Sequence, residues 1–343
     1  MLKDRIFDLF WSHDSLSKVE IMAALSEAVS EASVKRTLQQ LVKEEKLLVS
    51  GAGRATRYRL SPRSRLLSTI DTDTYYLRDI DERSIISTFN FELLTTVLPG
   101  AVLFDAEEQK HLQALQAEFR SNISQLSDAA RNKEMTRLGI DLSWKSSQIE
   151  GNTYTLLETE RLLLEQRTAE GKTRDEATML LNHKAALDFI VAEPDYLQQL
   201  SIAHIEDIHS ILVRDLQVDR NIRHRRVGIT GTNYRPLDNE YQIREALEAT
   251  CKLVNGTSCI FSKALLVLVL LSYIQAFMDG NKRVARLTSN AILIAHGYCP
   301  LSFRSVESID YKKAMLIFYE QNNISPFKKI FMDQFEFAVK SYF

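Results

Sequence analysis

The sequence predicts an all-α main domain preceded by a small unit that ends in a β-ribbon. Only 11 glycines and 6 prolines occur among 343 residues, whereas these two turn formers ordinarily make up about 12% of a chain. From residue 101 onward, apolar residues recur at the 3.6-residue spacing of helices in one segment after another. A chain of this length is expected to hold about two domains, and its low turn content disfavours a β-sandwich or a propeller.

The charge and the cysteine content further limit the class of protein to which the sequence can belong. The net charge of −2 and the pI of about 6.4 give no global field that would draw the protein to nucleic acid or to a membrane. Cys251, Cys259 and Cys299 have no paired spacing and are expected to be reduced thiols in a cytoplasmic protein without a signal peptide. The longest apolar stretch, 264–278, is short for a membrane span and predicts a helix buried at the centre of a bundle.

Residues 1–60 are predicted to form a separate winged-helix unit. Helical patterns cover residues 3–11, 18–24 and 31–44. Ser17 and Ser30 are suited to cap the second and third of these helices. Two β-type runs follow, separated by Gly51 and Gly53. Three helices followed by a two-stranded ribbon is the element order of a winged helix.

The third helix and the ribbon of this unit are locally basic. They carry seven basic and three acidic residues: Lys35, Arg36, Lys43, Lys46, Arg54, Arg57 and Arg59 against Glu31, Glu44 and Glu45. Such a bias favours duplex DNA as a partner, with the third helix in the major groove and the wing arginines on phosphates. A protein-contact or dimerisation module, including a homodimer, and an ordinary solvated surface are the alternatives.

The rest of the chain divides into a connector and the helical domain. Residues 61–100 are polar and acidic and are predicted as the connector, and residues 101–343 form the helical domain with a C-terminal helical extension. One segment of that domain, 227–237, interrupts the helical pattern because short apolar and β-branched runs flank Gly231. This pattern predicts a β-hairpin that turns at Gly231.

The stretch QAFMDGNKRVAR, which follows the buried helix, is a candidate phosphate site. A turn at Gly280 and Asn281 that leads into a helix can aim successive N–H groups at an anion. Arg283 and Arg286 lie three residues apart and therefore share a helix face near that anion. The carboxylate of Asp279 would suit a Mg²⁺ that bridges phosphate oxygens. The spacing fits a nucleoside triphosphate site, and it also fits a helix-loop-helix whose arginines form surface salt bridges.

This stretch resembles the signature of the Fic (Fido) family, His-x-Phe-x-Asp/Glu-Gly-Asn-Gly/Lys-Arg-x-x-Arg. The matching residues are Phe277, Asp279, Gly280, Asn281, Lys282, Arg283 and Arg286. Enzymes of the family use ATP and Mg²⁺ to attach AMP to a hydroxyl of a target protein. The resemblance, which covers roughly residues 100–300, implies a Fic-type helical bundle, ATP and Mg²⁺ as cofactors and an unidentified target protein as partner.

The resemblance also implies a role for each matching residue. Asp279 would bind the metal, Gly280 and Asn281 would hold phosphate oxygens, Arg283 would bind the β-phosphate and Arg286 the γ-phosphate. The predicted hairpin resembles the family's flap, which pairs with a target segment as an added strand. The flap residues are Thr230, Gly231, Thr232, Asn233 and Tyr234.

A second match lies upstream, where Ser146-x-x-x-Glu150-Gly-Asn resembles the family's inhibitory motif, Ser/Thr-x-x-x-Glu-Gly/Asn. Ser146 and Glu150 lie four residues apart and share a helix face, and Gly151 would end that helix. The resemblance implies an inhibitory helix at about 143–151 whose carboxylate pairs with Arg286. That pair would occupy the guanidinium that the γ-phosphate needs. An ordinary helix terminus with a solvated Glu is the alternative.

Two positions depart from the family pattern. Gln275 stands where the family has the His that accepts the target hydroxyl's proton. An amide lacks the basicity of an imidazole near neutral pH, and loss of a general base typically costs about 10²–10⁴-fold in rate. Lys282 stands where Gly is commoner and adds positive charge to the anion turn. In the death-on-curing relatives this form accompanies phosphoryl transfer with a reversed nucleotide.

We therefore expect an ATP-binding protein that is autoinhibited by Glu150 and impaired in AMP transfer by Gln275. The sequence is also compatible with two other functions. The protein would be an active AMP or phosphoryl transferase if another group supplied the base. It would be a DNA-binding transcriptional regulator if the helical domain served only as a scaffold for the winged helix.

Overall fold

The N-terminal unit combines short helices with a small antiparallel sheet. The structure, a computed structural model, describes residues 2–25 and 29–343, so Met1 and residues 26–28 of the predicted 1–60 unit lie outside the described residues. The described elements of this unit are α1 (Leu2–Leu9), β1 (Leu16–Ser17), α2 (Lys18–Ala24), α3 (Glu31–Lys43), β2 (Leu47–Ser50) and β3 (Arg57–Leu60). The strands lie in the order β1-β3-β2, with Leu47 opposite Leu60 and Leu16 opposite Tyr58.

The three predicted helices and the two predicted strands of this unit are confirmed, as are both predicted caps. The Ser17 hydroxyl accepts the N–H of Glu20, and the Ser30 hydroxyl accepts the N–H of Ser33. Each bond satisfies a donor that the first turn of a helix leaves unpaired. Strand β1 was not predicted, because a strand of two residues is too short to show an alternating pattern.

Helices build the rest of the described chain. They are α4 (Pro62–Leu67), α5 (Thr72–Tyr75), α6 (Ala106–Gln125), α7 (Asp128–Ile149), α8 (Leu156–Glu165), α9 (Arg174–Ala192), α10 (Ile202–Leu212), α11 (Glu240–Gly256), α12 (Ile260–Ile274), α13 (Asn281–Ala295), α14 (Ser308–Gln321) and α15 (Ser325–Tyr342). The prediction of a mostly helical protein is confirmed. No helix in the described ranges is long and apolar enough to cross a membrane, and the three cysteines, all of which are described, form no disulfide.

The central element of the bundle is α12, whose side chains are almost all buried. It packs against α11, α13, α14 and α15, which confirms the expected central helix in the apolar run. A helix that is apolar on every side is stable only where neighbours cover it all round. Because α12 is fixed in this way, the loop that follows it starts from a rigid position.

The connector, residues 61–100, is packed against both parts of the molecule. Its residue Leu66 belongs to the core of the helical bundle. Ile70 and Tyr75 belong to the core of the N-terminal unit, together with Ile317 of α14. The mostly polar composition of the connector did not predict this packing, because only a few of its residues are apolar and enter the two cores.

The β-hairpin predicted at 227–237 is wrong. The segment, called the flap segment below, turns at Thr230 and Gly231 and has no cross-strand ladder. Its only bridge among the described residues is parallel and joins Arg235 to Thr88 of the connector. The segment is held by buried side chains rather than by strand pairing: Thr232 and Tyr234 point inward, and the Tyr234 hydroxyl donates to the Tyr273 carbonyl at 3.1 Å.

Candidate functional site

The loop between α12 and α13 is a tight turn that its own asparagine closes. Gln275 ends α12 in the left-handed region at φ 53°, and Gly280 precedes α13 at φ 84°. The Asn281 amide bonds both backbone groups of Phe277, accepting from its N–H and donating to its carbonyl, each at 2.8 Å. The Asn281 side chain therefore shapes the loop, and only its backbone N–H remains to face an anion.

Glycine is favoured at position 280 by its backbone conformation. The φ of 84° disfavours any other residue, whereas a Cβ there would make only ordinary van der Waals contacts, with His209 Cδ2 at 3.4 Å and Arg283 Nη2 at 3.6 Å. The chain can thus turn sharply into α13. The first N–H groups of that helix have no partner within it.

His209 of α10 supports the loop from behind. Its ring stacks on Phe277 at a centroid distance of 3.7 Å, and its nitrogens lie 3.0 Å from the Asp279 carbonyl and 3.1 Å from the Arg220 carbonyl. Burial lowers the pKa of this imidazole. His209 is thus a structural residue, and the sequence analysis did not place it against the loop.

Arg223 is a second support that sequence reasoning missed. Its buried guanidinium donates from Nε to the Gln275 carbonyl at 2.6 Å, from Nη1 to the Arg225 carbonyl at 2.8 Å, and from Nη2 to the Leu237 carbonyl. Its own N–H donates to the Ala276 carbonyl at 3.0 Å. One side chain therefore joins Leu237, the last residue of the flap segment, and Arg225, just before its start, to the beginning of the loop.

The two arginines of the candidate phosphate site are buried, so they do not form the surface salt bridges considered above. Arg283 is 1% exposed and donates from Nη2 to Asp279 Oδ2 at 2.8 Å. Its Nε and Nη1 meet no hydrogen-bond acceptor among the described residues. Burial lowers the pKa of Arg283, and the Asp279 carboxylate opposes that shift. A buried cation with unused donors beside a glycine turn is suited to an anion.

Arg286 is fully buried and is bound by the end of α7. Its Nε donates to the Ser146 hydroxyl at 2.8 Å, and its Nη2 donates to the Ser146 carbonyl at 2.9 Å and to Glu150 Oε1 at 2.8 Å. The guanidinium also lies 5.2 Å from the centre of the Tyr311 ring of α14. Gly151, at φ 98°, turns the chain away after Glu150. The structure thus brings Ser146, Glu150 and Arg286 together.

Lys282 binds the same carboxylate from the other side. Its Nζ lies 3.2 Å from Glu150 Oε2, and both side chains are less than a quarter exposed. Burial favours the neutral form of Glu150, but Arg286, Lys282 and Arg283 outweigh it and hold the pKa of this carboxyl below its usual value. Glu150 is therefore an anion clamped between two cations at neutral pH.

Gln275 and Asp279 lie at the two ends of the loop. The Gln275 side chain donates from Nε2 to the Ser272 carbonyl at 2.7 Å, and the residue is 8% exposed. The Asp279 side chain is 61% exposed. No group of three or more His, Cys, Asp or Glu side chains in the described ranges is placed to hold a metal ion. Any metal here would depend on Asp279 together with oxygens from a ligand.

Comparison with known proteins agrees with this geometry. Residues 199–293 match the family model described as Fic/DOC family. The chain is 24% identical over 266 residues to Protein adenylyltransferase Fic of Drosophila ananassae and 25% identical over 268 residues to that of Drosophila erecta. Each alignment covers 76% of this chain and 52% of the relative, so the chain spans about half the length of these relatives.

Solved structures share the fold. Fic-1 (residues 134–508) of C. elegans superposes with a TM-score of 0.60 at 22% identity, over 69% of this chain and 72% of that one. A Fic domain containing signaling protein of Bacteroides thetaiotaomicron gives a TM-score of 0.58 at 20% identity, over 67% and 94%. The region that matches the Fic/DOC family model includes the loop, both arginines and the flap segment, and this part of the chain therefore resembles a Fic/DOC family domain.

Proposed function

We propose that the protein binds ATP with Mg²⁺ at the loop between α12 and α13, is held inactive by Glu150, and is a poor AMP transferase because of Gln275. The relatives named protein adenylyltransferase support the general chemistry. The observation that carries the proposal is the Glu150 carboxylate, which lies 2.8 Å from Arg286 and 3.2 Å from Lys282.

The loop has the chemistry of a phosphate site. Arg283 offers two buried N–H groups that lack acceptors in the described chain, and Gly280 places no side chain at the start of α13. A helix N-terminus with adjacent guanidinium donors favours a polyanion. Arg283 and the loop N–H groups would hold the inner phosphates. ATP, when bound, supplies the AMP group and the pyrophosphate leaving group.

One carboxylate is sufficient for the expected metal. Mg²⁺ is usually bound by one or two carboxylates together with substrate phosphates and water. Asp279 meets that need, because its exposed side chain adjoins Arg283 and the start of α13. Asp279 would be the residue that holds the metal, and it now accepts a 2.8 Å hydrogen bond from Arg283.

Autoinhibition follows from the burial of Arg286. The guanidinium has no exposed surface while Ser146 and Glu150 contact it. A third phosphate can reach it only after the end of α7 moves. The contact that keeps Arg286 buried is strong, because Arg286 and Lys282 both bind the carboxylate of Glu150.

The residue at position 275 accounts for the poor transfer. The Gln275 amide is turned toward the Ser272 carbonyl and cannot accept a proton near neutral pH. His209 does not replace it, because both of its nitrogens face backbone carbonyls. AMP or phosphoryl transfer through another base is the rival activity, and mass spectrometry of modified targets separates the two by the mass added.

Calorimetry with Mg-ATP tests the proposal. We compare the wild type with Glu150→Gly and with Glu134→Gly, a matched change on the same helix whose carboxylate pairs with Arg137. Glu150→Gly should bind ATP at least about tenfold more tightly, as expected from freeing one charge-assisted contact. Glu134→Gly should match the wild type. Absence of ATP binding by Glu150→Gly would refute the phosphate site.

A second candidate function is DNA binding by the N-terminal unit. Lys35, Arg36 and Lys43 are exposed on α3, and Arg54 and Arg59 are exposed on the loop and strand that follow. Such a surface suits phosphates, although Arg57 pairs with Glu20. A mobility-shift assay on the DNA upstream of the gene should show binding that weakens steeply with salt. A shift insensitive to salt, or none, would count against it.

A further inference from the structure

The connector forms a continuous set of contacts along the flap segment. Arg83 Nη2 donates to the Gly231 carbonyl at 2.9 Å. The Asn233 side chain donates to Asp81 Oδ1 at 2.9 Å. The N–H of Arg235 donates to the Ser87 carbonyl at 2.9 Å. Gly231 and Arg235 use backbone groups in these contacts, and Asn233 between them uses its side chain. One edge of the flap segment is therefore covered by residues 81–88.

Arg83 is the centre of these contacts. Its side chain is 5% exposed, and its Nη1 lies 3.3 Å from Glu320 Oε2 on α14. Its guanidinium lies 5.9 Å from the ring centre of Tyr75 and 5.2 Å from that of Tyr76. A buried guanidinium needs a carboxylate or other acceptors nearby. Glu320 provides the carboxylate, and the Gly231 carbonyl accepts from Nη2, whereas Nε and Nη1 meet no hydrogen-bond acceptor among the described residues.

The contacts around Arg83 and Glu320 extend to the N-terminal unit. The Tyr75 hydroxyl donates to Glu320 Oε2 at 2.7 Å, and the Tyr75 ring lies in the core of the N-terminal unit with Ile70 and Ile317. The backbone also joins these parts, since the N–H of Ile86 donates to the Glu320 carbonyl at 2.8 Å. The flap segment, α14 and the N-terminal core therefore share one buried ion pair.

We propose that Arg83 is a positioning residue that fixes the flap segment through the Gly231 carbonyl, so that residues 81–88 act as a brace between the N-terminal unit and the flap. The role of the flap in AMP transfer to a target protein rests on the proposed function, whereas the bracing contacts of residues 81–88 do not. Without Arg83, the turn at Thr230 and Gly231 loses its only side-chain anchor from the connector in the described chain.

Hydrogen–deuterium exchange read by mass spectrometry tests this role on the full chain. Arg83→Met alone would leave the buried Glu320 carboxylate without its cation, so the test variant is Arg83→Met/Glu320→Gln. Its controls are Glu320→Gln and Arg78→Met, which removes the same type of side chain from an exposed position of the connector. Peptides over 228–237 should exchange about tenfold faster in the test variant than in either control, as expected from loss of a hydrogen bond to a charged group.

The pattern of exchange decides between positioning and general destabilisation. Peptides of α12 and α13 should exchange at the control rate. The proposal is overturned if flap peptides exchange at the control rate, or if α12 and α13 accelerate equally with the flap. Adding the same changes to Glu150→Gly/Gln275→His should lower AMP transfer into lysate proteins with ATP affinity unchanged. Failure of that parent variant to transfer AMP would refute the proposed function, while the exchange result still decides the role of Arg83.

Discussion

The carboxylate of Glu150 lies 2.8 Å from the guanidinium of Arg286 and joins the end of α7 to the first turns of α13. The two residues are 136 positions apart in the sequence. Under the proposed autoinhibition, movement of the end of α7 would uncover this fully buried cation.

Protonation of Glu150 should open this contact only in acid. Because the folded-state pKa of Glu150 is lowered, the stability that the pair contributes is present above the ordinary carboxyl pKa of about 4.3 and is lost as pH falls through the lowered value. We expect wild type to exceed Glu150→Gln in thermal stability at pH 5–7 and the difference to shrink below about pH 4. Thermal melts across this range measure it, and a difference that stays constant or grows in acid would contradict the assignment.

Lys282 should contribute to the same clamp. We expect the Lys282–Glu150 pair to show a coupling free energy of about 1 kcal/mol in a double-mutant cycle, since both side chains are largely buried and lie 3.2 Å apart. The cycle uses Lys282→Met, Glu150→Gln and the double variant in urea denaturation. The exposed pair Lys329–Asp333 serves as the control and should couple more weakly. Additive effects at Lys282 and Glu150 would show that the lysine does not hold the carboxylate.

Restoring a base at position 275 should restore transfer. In the Glu150→Gly background, Gln275→His is expected to raise AMP incorporation by about 10²–10⁴-fold, the usual contribution of a general base. Gln275→Asn is the control, because it changes the side chain without adding a base. The assay follows label from the α-phosphate of ATP in lysate proteins. Robust incorporation with Gln275 in place would show that another group already acts as the base.

Arg223 should be essential for the shape of the loop. Arg223→Met leaves the carbonyls of Gln275 and Leu237 without their donor in a buried environment, so we expect a loss of about 3 kcal/mol or more in the free energy of unfolding. Arg225→Met, two residues away and exposed, should change it by less than about 0.5 kcal/mol. Chemical denaturation gives both values. Equal effects of the two variants would rule out the tie between flap segment and loop.

Local signals in the sequence were sufficient to predict α12, the caps at Ser17 and Ser30, and the turn at Gly280. The apolar run that forms α12 has no polar face, and capping needs only a side chain at one end of a helix. These features depend on neighbours within a few residues. They can be inferred before the tertiary fold is known.

The supports of the site depend on contacts between distant segments and were missed for that reason. Arg223 lies in a basic run with Arg225 and Arg226, and composition alone does not show that only one of the three folds inward. His209 meets Phe277 through the packing of α10 against the loop. The flap segment was predicted as a hairpin because short apolar and β-branched runs flank Gly231. In the structure, buried side chains such as Thr232 and Tyr234 hold the segment, and the runs do not pair as strands.

A crystal structure of Glu150→Gly soaked with Mg-ATP decides whether the loop between α12 and α13 is a triphosphate site. We expect a triphosphate over the loop, with a terminal phosphate oxygen about 3 Å from Arg286 and an inner one at a similar distance from Arg283. A triphosphate bound elsewhere, or an empty loop at saturating ATP with Arg286 still bonded to Ser146, would contradict it.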